Sequence, residues 1–461
     1  MKSRKVFGLF SIILLLIIAV SCSKDSSSAG GETFLATLTT STASSITNST
    51  AISGGTISSD GGAAVTQRGV CWSTNHNPTI ADAFTQDGAG VGTFSSTLTN
   101  LTPNTTYYIR AYATNSQGTA YGTEVSCNTI ETMYFPPNDG STTWETKSLA
   151  ALGWNQSAVQ PLLDYLALKN SKSFMILVNG RIVMENYFNG HTDTTPWYWA
   201  SAGKTLTSTV TGIAAEEGYI NINNKVSDYI GAGWTNETLA QENLITCKNL
   251  LSMTSGIDDY VNGVYSDDVT PASLNYKADA GTRWAYSNVY VKLQDVIAQA
   301  TGQTWSAYFN SKLRDKLGMT GSWIQSNNNV VYWSTTRSMA RFGLMALNNG
   351  NWDGVQVVNS NYFNAATSTS QNINLSYGYL WWLNGKSSYH MPQSQLQFPG
   401  SIIPTGPTDM FMALGKNDQK IYVIPSKKMV VIRMGDAADS VNLALSDFDQ
   451  TLWTKINALF P

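Results

Sequence analysis

From Thr33 to Thr129 the chain carries no lysine, and short alternating runs are cut again and again by turn residues. Such a stretch favours many short strands over helices. Ser58-Ser59-Asp60-Gly61-Gly62 and Asn115-Ser116-Gln117-Gly118 are two of the interruptions. In Tyr107-Tyr108-Ile109-Arg110-Ala111-Tyr112-Ala113, period two puts Tyr107, Ile109, Ala111 and Ala113 on one face. Arg68 to Ser73 is expected as a core strand carrying Trp72. The expectation for residues 33–130 is an all-β sandwich.

Near residue 131 the pattern changes. Met133-Tyr134-Phe135-Pro136-Pro137 marks a boundary, and lysine returns at Lys147. Phe174–Val178, Asn179-Gly180 and Arg181–Phe188 form a hairpin signal. Ala158–Leu168, Thr205–Glu216 and Val289–Thr301 have helical spacing. Met410–Leu414, Ile421–Ile424 and Met429–Met434 read as strands, the last two joined by Pro425–Lys428. Strands at both ends with helices between imply an antiparallel sheet whose first and last segments meet. With 461 residues, the chain is therefore expected to be multidomain: a sandwich, then an α/β domain over 131–461.

The first residues bear on location. Lys2, Arg4 and Lys5 precede an apolar run from Val6 to Val20, the length of a signal-peptide core and short for a span. Ala19-Val20-Ser21-Cys22 resembles a bacterial lipoprotein cleavage site, with Ala19 where Leu is commoner. The resemblance implies residues 1–22 as signal, Cys22 as the lipidated N-terminus, and 23–32 as a flexible tether. It implies export to a bacterial cell envelope, on an outer membrane, at its periplasmic or surface face. An ordinary secretory signal or a short uncleaved anchor is the alternative. Cys71 and Cys127 lie in one module and either pair or stay as buried thiols; Cys247 reads as a buried thiol.

Leu101-Thr102-Pro103-Asn104-Thr105-Thr106-Tyr107 resembles the corner of fibronectin type III modules, where the Tyr hydroxyl returns to nearby backbone. Such a module either binds glycan or protein through Tyr108 and Tyr112, or spaces the second domain from the membrane. Fold alone decides neither.

A net charge of −3 offers no basic surface for nucleic acid. No Gly-x-Ser-x-Gly, His-Glu-x-x-His or Gly-rich phosphate loop occurs, and His76, His191 and His390 are scattered. Ser201-Ala202-Gly203-Lys204 remains. A Ser at a helix start sees unpaired N–H groups, and a Lys three residues on shares its face. Burial deprotonates such a Lys, which then activates the hydroxyl. The same spacing at Ser21–Lys24 means nothing, and an N-capping Ser with a solvated Lys is the plain reading.

Order and flanks choose between these. Ala280-Gly281-Thr282-Arg283-Trp284-Ala285-Tyr286-Ser287-Asn288 precedes a helix. Ile245–Ile257 contains Met253-Thr254-Ser255-Gly256. Thr336–Gly343 is followed by Asn348-Asn349-Gly350, and Tyr377–Trp382 comes later. With Ser201–Lys204 these resemble, in order, the serine hydrolases of the class C β-lactamase and penicillin-binding-protein family, over about residues 133–461. The resemblance implies Ser201 as acylated nucleophile, Lys204 as its activating partner, Tyr286 as a second proton-transfer group and Asn288 as orienting residue. It leaves open whether Lys204 or Tyr286 takes the first proton.

The family's third motif, Lys-Thr-Gly or His-x-Gly, is best matched by Lys416-Asn417-Asp418. Asp418 stands where the family has Gly, and a carboxylate there is expected to narrow the cleft and repel anions. That favours esters and linear amides over β-lactams and stem peptides. The carried-over oxyanion hole is the N–H of Ser201 plus that of Gln419. Trp199, Trp284, Trp381 and Trp382 flank the motifs and either line an acyl pocket or pack the core. The expected partners are a small-molecule, short-peptide or ester substrate, and a membrane through Cys22. The expectation is a monomer with no metal and no organic cofactor. A silent relative that binds cell-wall or glycan ligands is the competing class.

Overall fold

In the computed structural model of the chain, residues 31–326, 329–439 and 445–461 are described. The signal segment, Cys22 and nearly all of the tether lie outside them. The chain divides into two compact units between Thr132 and Met133.

The first unit is all-β. Strands β1 (Thr37–Ser44), β2 (Ala51–Ser59), β3 (Gln67–Ser73), β4 (Ala83–Phe84), β5 (Gly92–Leu98), β6 (Thr106–Asn115), β7 (Gly118–Tyr121) and β8 (Val125–Asn128) form two antiparallel sheets. One is β1-β2-β5; the other is β4-β3-β6-β7, with β8 also on β6. Ala51, Ile57, Phe94 and Leu98 of the first sheet share a core with Val70, Tyr107, Ile109, Ala111 and Ala113 of the second. The period-two face of β6 is thus its core face. The Tyr107 hydroxyl accepts from the backbone N–H of Thr102 at 3.0 Å, closing the corner before β6.

Three expectations for this unit are corrected. Trp72 is only partly buried at the edge of the core. Tyr112 is not an exposed contact residue: it is fully buried, donating to Thr85 O at 2.6 Å. Tyr108 is half-buried, its ring 3.7 Å from that of His76. Of the two tyrosines, burial therefore takes Tyr112 out of any contact face and leaves only the half-buried Tyr108 on the outer side of β6. Cys71 and Cys127 are free, buried thiols.

In the second unit, α1 (Val159–Leu168) leads into the hairpin β9 (Ser171–Val178) and β10 (Arg181–Tyr187). Asn179 and Gly180 both take positive φ, 51° and 82°, as a two-residue hairpin turn requires. A Cβ on Gly180 would lie 1.8 Å from Tyr134 O, so only Gly fits. Next come β11 (Trp197–Tyr198), α2 (Lys204–Glu216), α3 (Cys247–Leu251), α4 (Lys292–Thr301), β12 (Ser322–Ser326), β13 (Asn329–Ser334) and α5 (Thr336–Leu347). The chain closes with β14 (Trp382–Leu383), β15 (Phe411–Gly415), β16 (Gln419–Ile424), β17 (Met429–Gly435) and α6 (Phe448–Asn457).

The main sheet runs β10-β9-β17-β16-β15-β14, antiparallel throughout. Its first and last long strands pair, with Ile176 opposite Val431. The two faces of β16 go to different layers. Ile421 meets α5, where a Cβ on Gly343 would sit 2.6 Å from Val430, so the helix lies close on the sheet. Lys420 and Tyr422 point to α6 and bond Asp449. Cys247 is buried at the start of α3. Of the Tyr377–Trp382 segment only Trp382, with Leu383, pairs with β15, and Leu380 turns with φ 63°. No helix among the described residues is long and apolar enough to cross a membrane.

Candidate active site

The Ser201 turn is held from two sides. Strand β11 pairs with β13, and Trp199 N–H donates to Tyr332 O at 2.8 Å. Ala200 then takes φ 47°, a strained value for a residue with a Cβ, and the chain turns through a 3-10 segment, Ala200–Gly203, into α2. Ser201 thus stands at the N-terminus of a buried helix, beside unpaired N–H groups. On the other side lies Gly415, whose Cβ would fall 2.5 Å from Trp199 O and 3.0 Å from Ala202 N. Strand β15 can approach the serine this closely only with Gly there.

Lys204 is buried, and its Nζ donates to Asn288 Oδ1 at 2.9 Å. Asn288 in turn donates from Nδ2 to Asn329 Oδ1 at 2.6 Å. The Lys204 Nζ lies 4.2 Å from the Tyr290 ring centroid and 5.0 Å from that of Tyr286. Burial pushes its pKa down to about 7, and the field of Asp267 acts upward against it. The side chains of Ser201 and Trp382 lie close enough to the Tyr286 hydroxyl to favour its phenolate. Burial nevertheless pushes the Tyr286 phenol well above its ordinary value, outweighing both neighbours. Of the two alternatives for the first proton, burial favours the neutral Lys204 amine and disfavours a Tyr286 phenolate.

The segment carrying Tyr286 is positioned by the Met253–Gly256 turn. Ala285 N–H donates to Met253 O at 2.9 Å and Gly281 N–H to Thr254 O at 2.7 Å. Gly256 has φ 83°, and a Cβ there would strike Ala278 O at 2.0 Å. Ser201, Lys204, Tyr286, Asn288 and Lys416 together line one cleft of about 450 Å³. Neither His191 nor His390 lines it, and among the described residues no group of three metal-ligating side chains occurs.

The third-motif region departs from expectation. Lys416 is exposed and faces the cleft, but Asp418 does not: it is fully buried behind the turn. Its carboxylate lies 3.1 Å from Lys420 Nζ and accepts from Ser446 Oγ at 2.7 Å and Ala438 N at 3.1 Å. Burial alone would raise the Asp418 carboxyl, yet Lys420 and these donors hold it below the ordinary value. Asn417 and Asp418 both adopt φ 59°, and this double left-handed step swings the carboxylate inward. Gln419 is also buried; its Nε2 donates to Asn417 O at 2.9 Å and to Gly435 O at 2.6 Å. Arg433 Nη1 donates to Asn417 O at 2.8 Å and Asp418 O at 3.1 Å. The carbonyls of the turn are thus drawn into the interior, and the residue presented to the cleft is Lys416, not Gln419.

The tryptophans are core. Trp199 is fully buried, donates to Ser334 Oγ at 2.7 Å and packs on Tyr332 and Phe342. It is thereby removed from the substrate-contacting set. Trp381 stacks on Phe342, and Trp284 and Trp382 pack around Tyr286 and Tyr377. The aromatic wall is instead Tyr198, Tyr265, Tyr290 and Trp323, with Asp267 beside them. Of these, Tyr290 was within reach of sequence reasoning, standing four residues after Tyr286 at a helix start. Asp267 comes from a loop and Asn329 from the start of β13, with no pattern to announce either.

The beta-lactamase family profile matches residues 170–442, more than half of the chain. The chain belongs to the beta-lactamase family. It is thereby placed among the serine hydrolases related to β-lactamases and penicillin-binding proteins. An uncharacterised protein of Alkalihalophilus pseudofirmus is 23% identical to this family member over 300 residues, spanning 57% of this chain and 82% of that one. Protein flp of Staphylococcus aureus is 30% identical over 179 residues, covering 34% of this chain and 35% of its own. In fold, a Bacillus anthracis protein provisionally named a 6-aminohexanoate-dimer hydrolase superposes with TM-score 0.53 at 20% identity, covering 69% of this chain and 87% of that one. A penicillin-binding protein homologue of Caulobacter crescentus gives TM-score 0.51 at 12% identity, covering 66% and 97%.

Proposed function

We propose that the chain is a serine hydrolase that cleaves an ester or amide bond through an acyl-enzyme on Ser201. One observation carries this reading: a buried Lys204, its pKa brought down to about 7 and its Nζ held by Asn288 Oδ1 at 2.9 Å, shares a cleft with Ser201 and Tyr286. Neutral Lys204 takes the Ser201 proton as Oγ attacks the carbonyl carbon. Tyr286, protonated, relays a proton to the leaving group, and Asn288 holds the Lys204 amine in place. The N–H groups of Ser201 and Lys416 face the developing oxyanion; the first N–H groups of a turn such as Lys416–Asp418 lack partners within it. Asp418, buried, supplies no ground for ranking esters and linear amides above β-lactams, and the choice among them passes to the other groups of the cleft. Cys22 would hold the enzyme on a bacterial membrane, with the fibronectin type III-like unit as its spacer.

The test is intact mass after exposure to a fluorophosphonate and to a penicillin, on wild type and Ser201→Ala. A single adduct on wild type, missing in the variant, supports the reading. Folded wild type that takes neither reagent overturns it and leaves the silent binding protein.

A further inference from the structure

Three ionisable side chains of opposite sign line the cleft: Lys204, Lys416 and Asp267. Asp267 is exposed, lies between α3 and α4, and sits near enough to Tyr265 for its charge to raise the phenol, whose hydroxyl donates to Tyr286 O at 3.4 Å. It pairs with no cation among the described residues. Its charge is felt by Lys204, Tyr286 and Tyr290, and in each case it opposes loss of the proton. An unpaired carboxylate there works against the neutral Lys204 that the chemistry needs. Around it stand the rings of Tyr265, Tyr286 and Tyr290, the surroundings that favour an organic cation. The Tyr290 hydroxyl has no protein partner among the described residues and is free to bond a ligand.

Resting on the reading of Ser201 as nucleophile, we propose that the substrate carries a positively charged amino group, held by Asp267 against Tyr265 and Tyr290. Binding of that group also neutralises the carboxylate. The brake on Lys204 is then released only when the cognate substrate is in place, so part of the binding energy appears in the chemical step. The charged and titratable groups nearest Lys204 in the cleft are Tyr286 and Tyr290, whose rings it faces, Asp267 from the loop, and Lys416 at the end of β15. Lys416 has no carboxylate partner among the described residues, so within the cleft it repels a bound ammonium while Asp267 attracts it.

Three alkyl fluorophosphonates with matched chains, ending in a primary ammonium, a hydroxyl or a carboxylate, test this. In each reaction the Ser201 Oγ–P bond forms, the P–F bond breaks, fluoride leaves and the hydroxyl proton passes to Lys204. Labelling rates come from intact mass, on wild type, Asp267→Asn and Asp267→Ser, with melting temperatures to show that each folds. Wild type should label with the ammonium probe about tenfold faster than with the hydroxyl probe, as one charge-assisted contact allows. Both variants should bring that ratio to about one. With the hydroxyl probe, the midpoint of the pH–rate curve should move to lower pH in the variants, because the charge holding the Lys204 proton is gone. An unchanged ratio in the variants, or a wild type that prefers the carboxylate probe, overturns the proposal. Absence of labelling by all three probes refutes the Ser201 reading itself, and this inference with it.

Discussion

The Lys204 amine and the Asn288 amide oxygen are 2.9 Å apart inside a wall of tyrosine rings, with no carboxylate in contact. A cation at that place is poorly solvated, and the amine loses its proton near neutral pH. Turnover should therefore rise with pH through about 7 as Lys204 becomes neutral. It should stay high above that, because Tyr286 remains protonated. A pH–rate profile from 5 to 10 checks both limbs; a rise centred far from 7 would assign the base role to another group, and a fall between pH 8 and 9 would show that the acid loses its proton there.

The same burial makes Lys204 a stability liability. Its folded pKa lies below its unfolded value, so the unfolded chain binds the extra proton and stability rises with pH between about 7 and about 10. Lys204→Met should abolish turnover and raise the melting temperature, by more at pH 6 than at pH 9. Calorimetry at the two pH values would show the difference.

Gly415→Ala should leave the sheet intact and damage the chemistry. The added Cβ meets Trp199 O and Ala202 N, so either β15 or the Ser201 turn must shift. A displacement near 1 Å at reacting atoms costs about 10²-fold in rate. We expect acylation to slow by roughly that factor with little change in melting temperature. Wild-type acylation by the variant would place the close approach elsewhere.

Asp418→Gly should destabilise the fold without improving catalysis. Gly would relieve a left-handed φ of 59°, a gain of about 1 kcal/mol. It would also remove a fully buried carboxylate from Lys420, at a cost of about 3–5 kcal/mol, so the loss wins. Denaturant titration gives the sign directly, and a more active variant would return Asp418 to the cleft.

In the first unit, Tyr107→Phe removes the acceptor of the Thr102 N–H and should cost about 1 kcal/mol. Melting of the full chain, followed by a probe of β-structure, should show an earlier loss of that unit's signal.

Much of this protein is written in relations between residues a few positions apart. The Asn179-Gly180 hairpin, the alternating core face of β6 and the Ser201–Lys204 pair on one helical turn all depend on such neighbours, and backbone geometry enforces them wherever the chain lies. Order and flanking residues were enough to mark Tyr286 and Asn288 as partners of that pair. Folding alone could decide which side of the Gly415–Gln419 turn meets the cleft. Asp418 follows Lys416 by two residues yet faces the opposite way, because Lys420, Ser446 and Asp449 form a buried polar cluster behind it. Asp267 reaches the cleft by a loop with no periodicity to read. The tyrosine and lysine proton affinities belong to the same class, since burial sets them, and burial is a property of the packed chain rather than of any stretch of it.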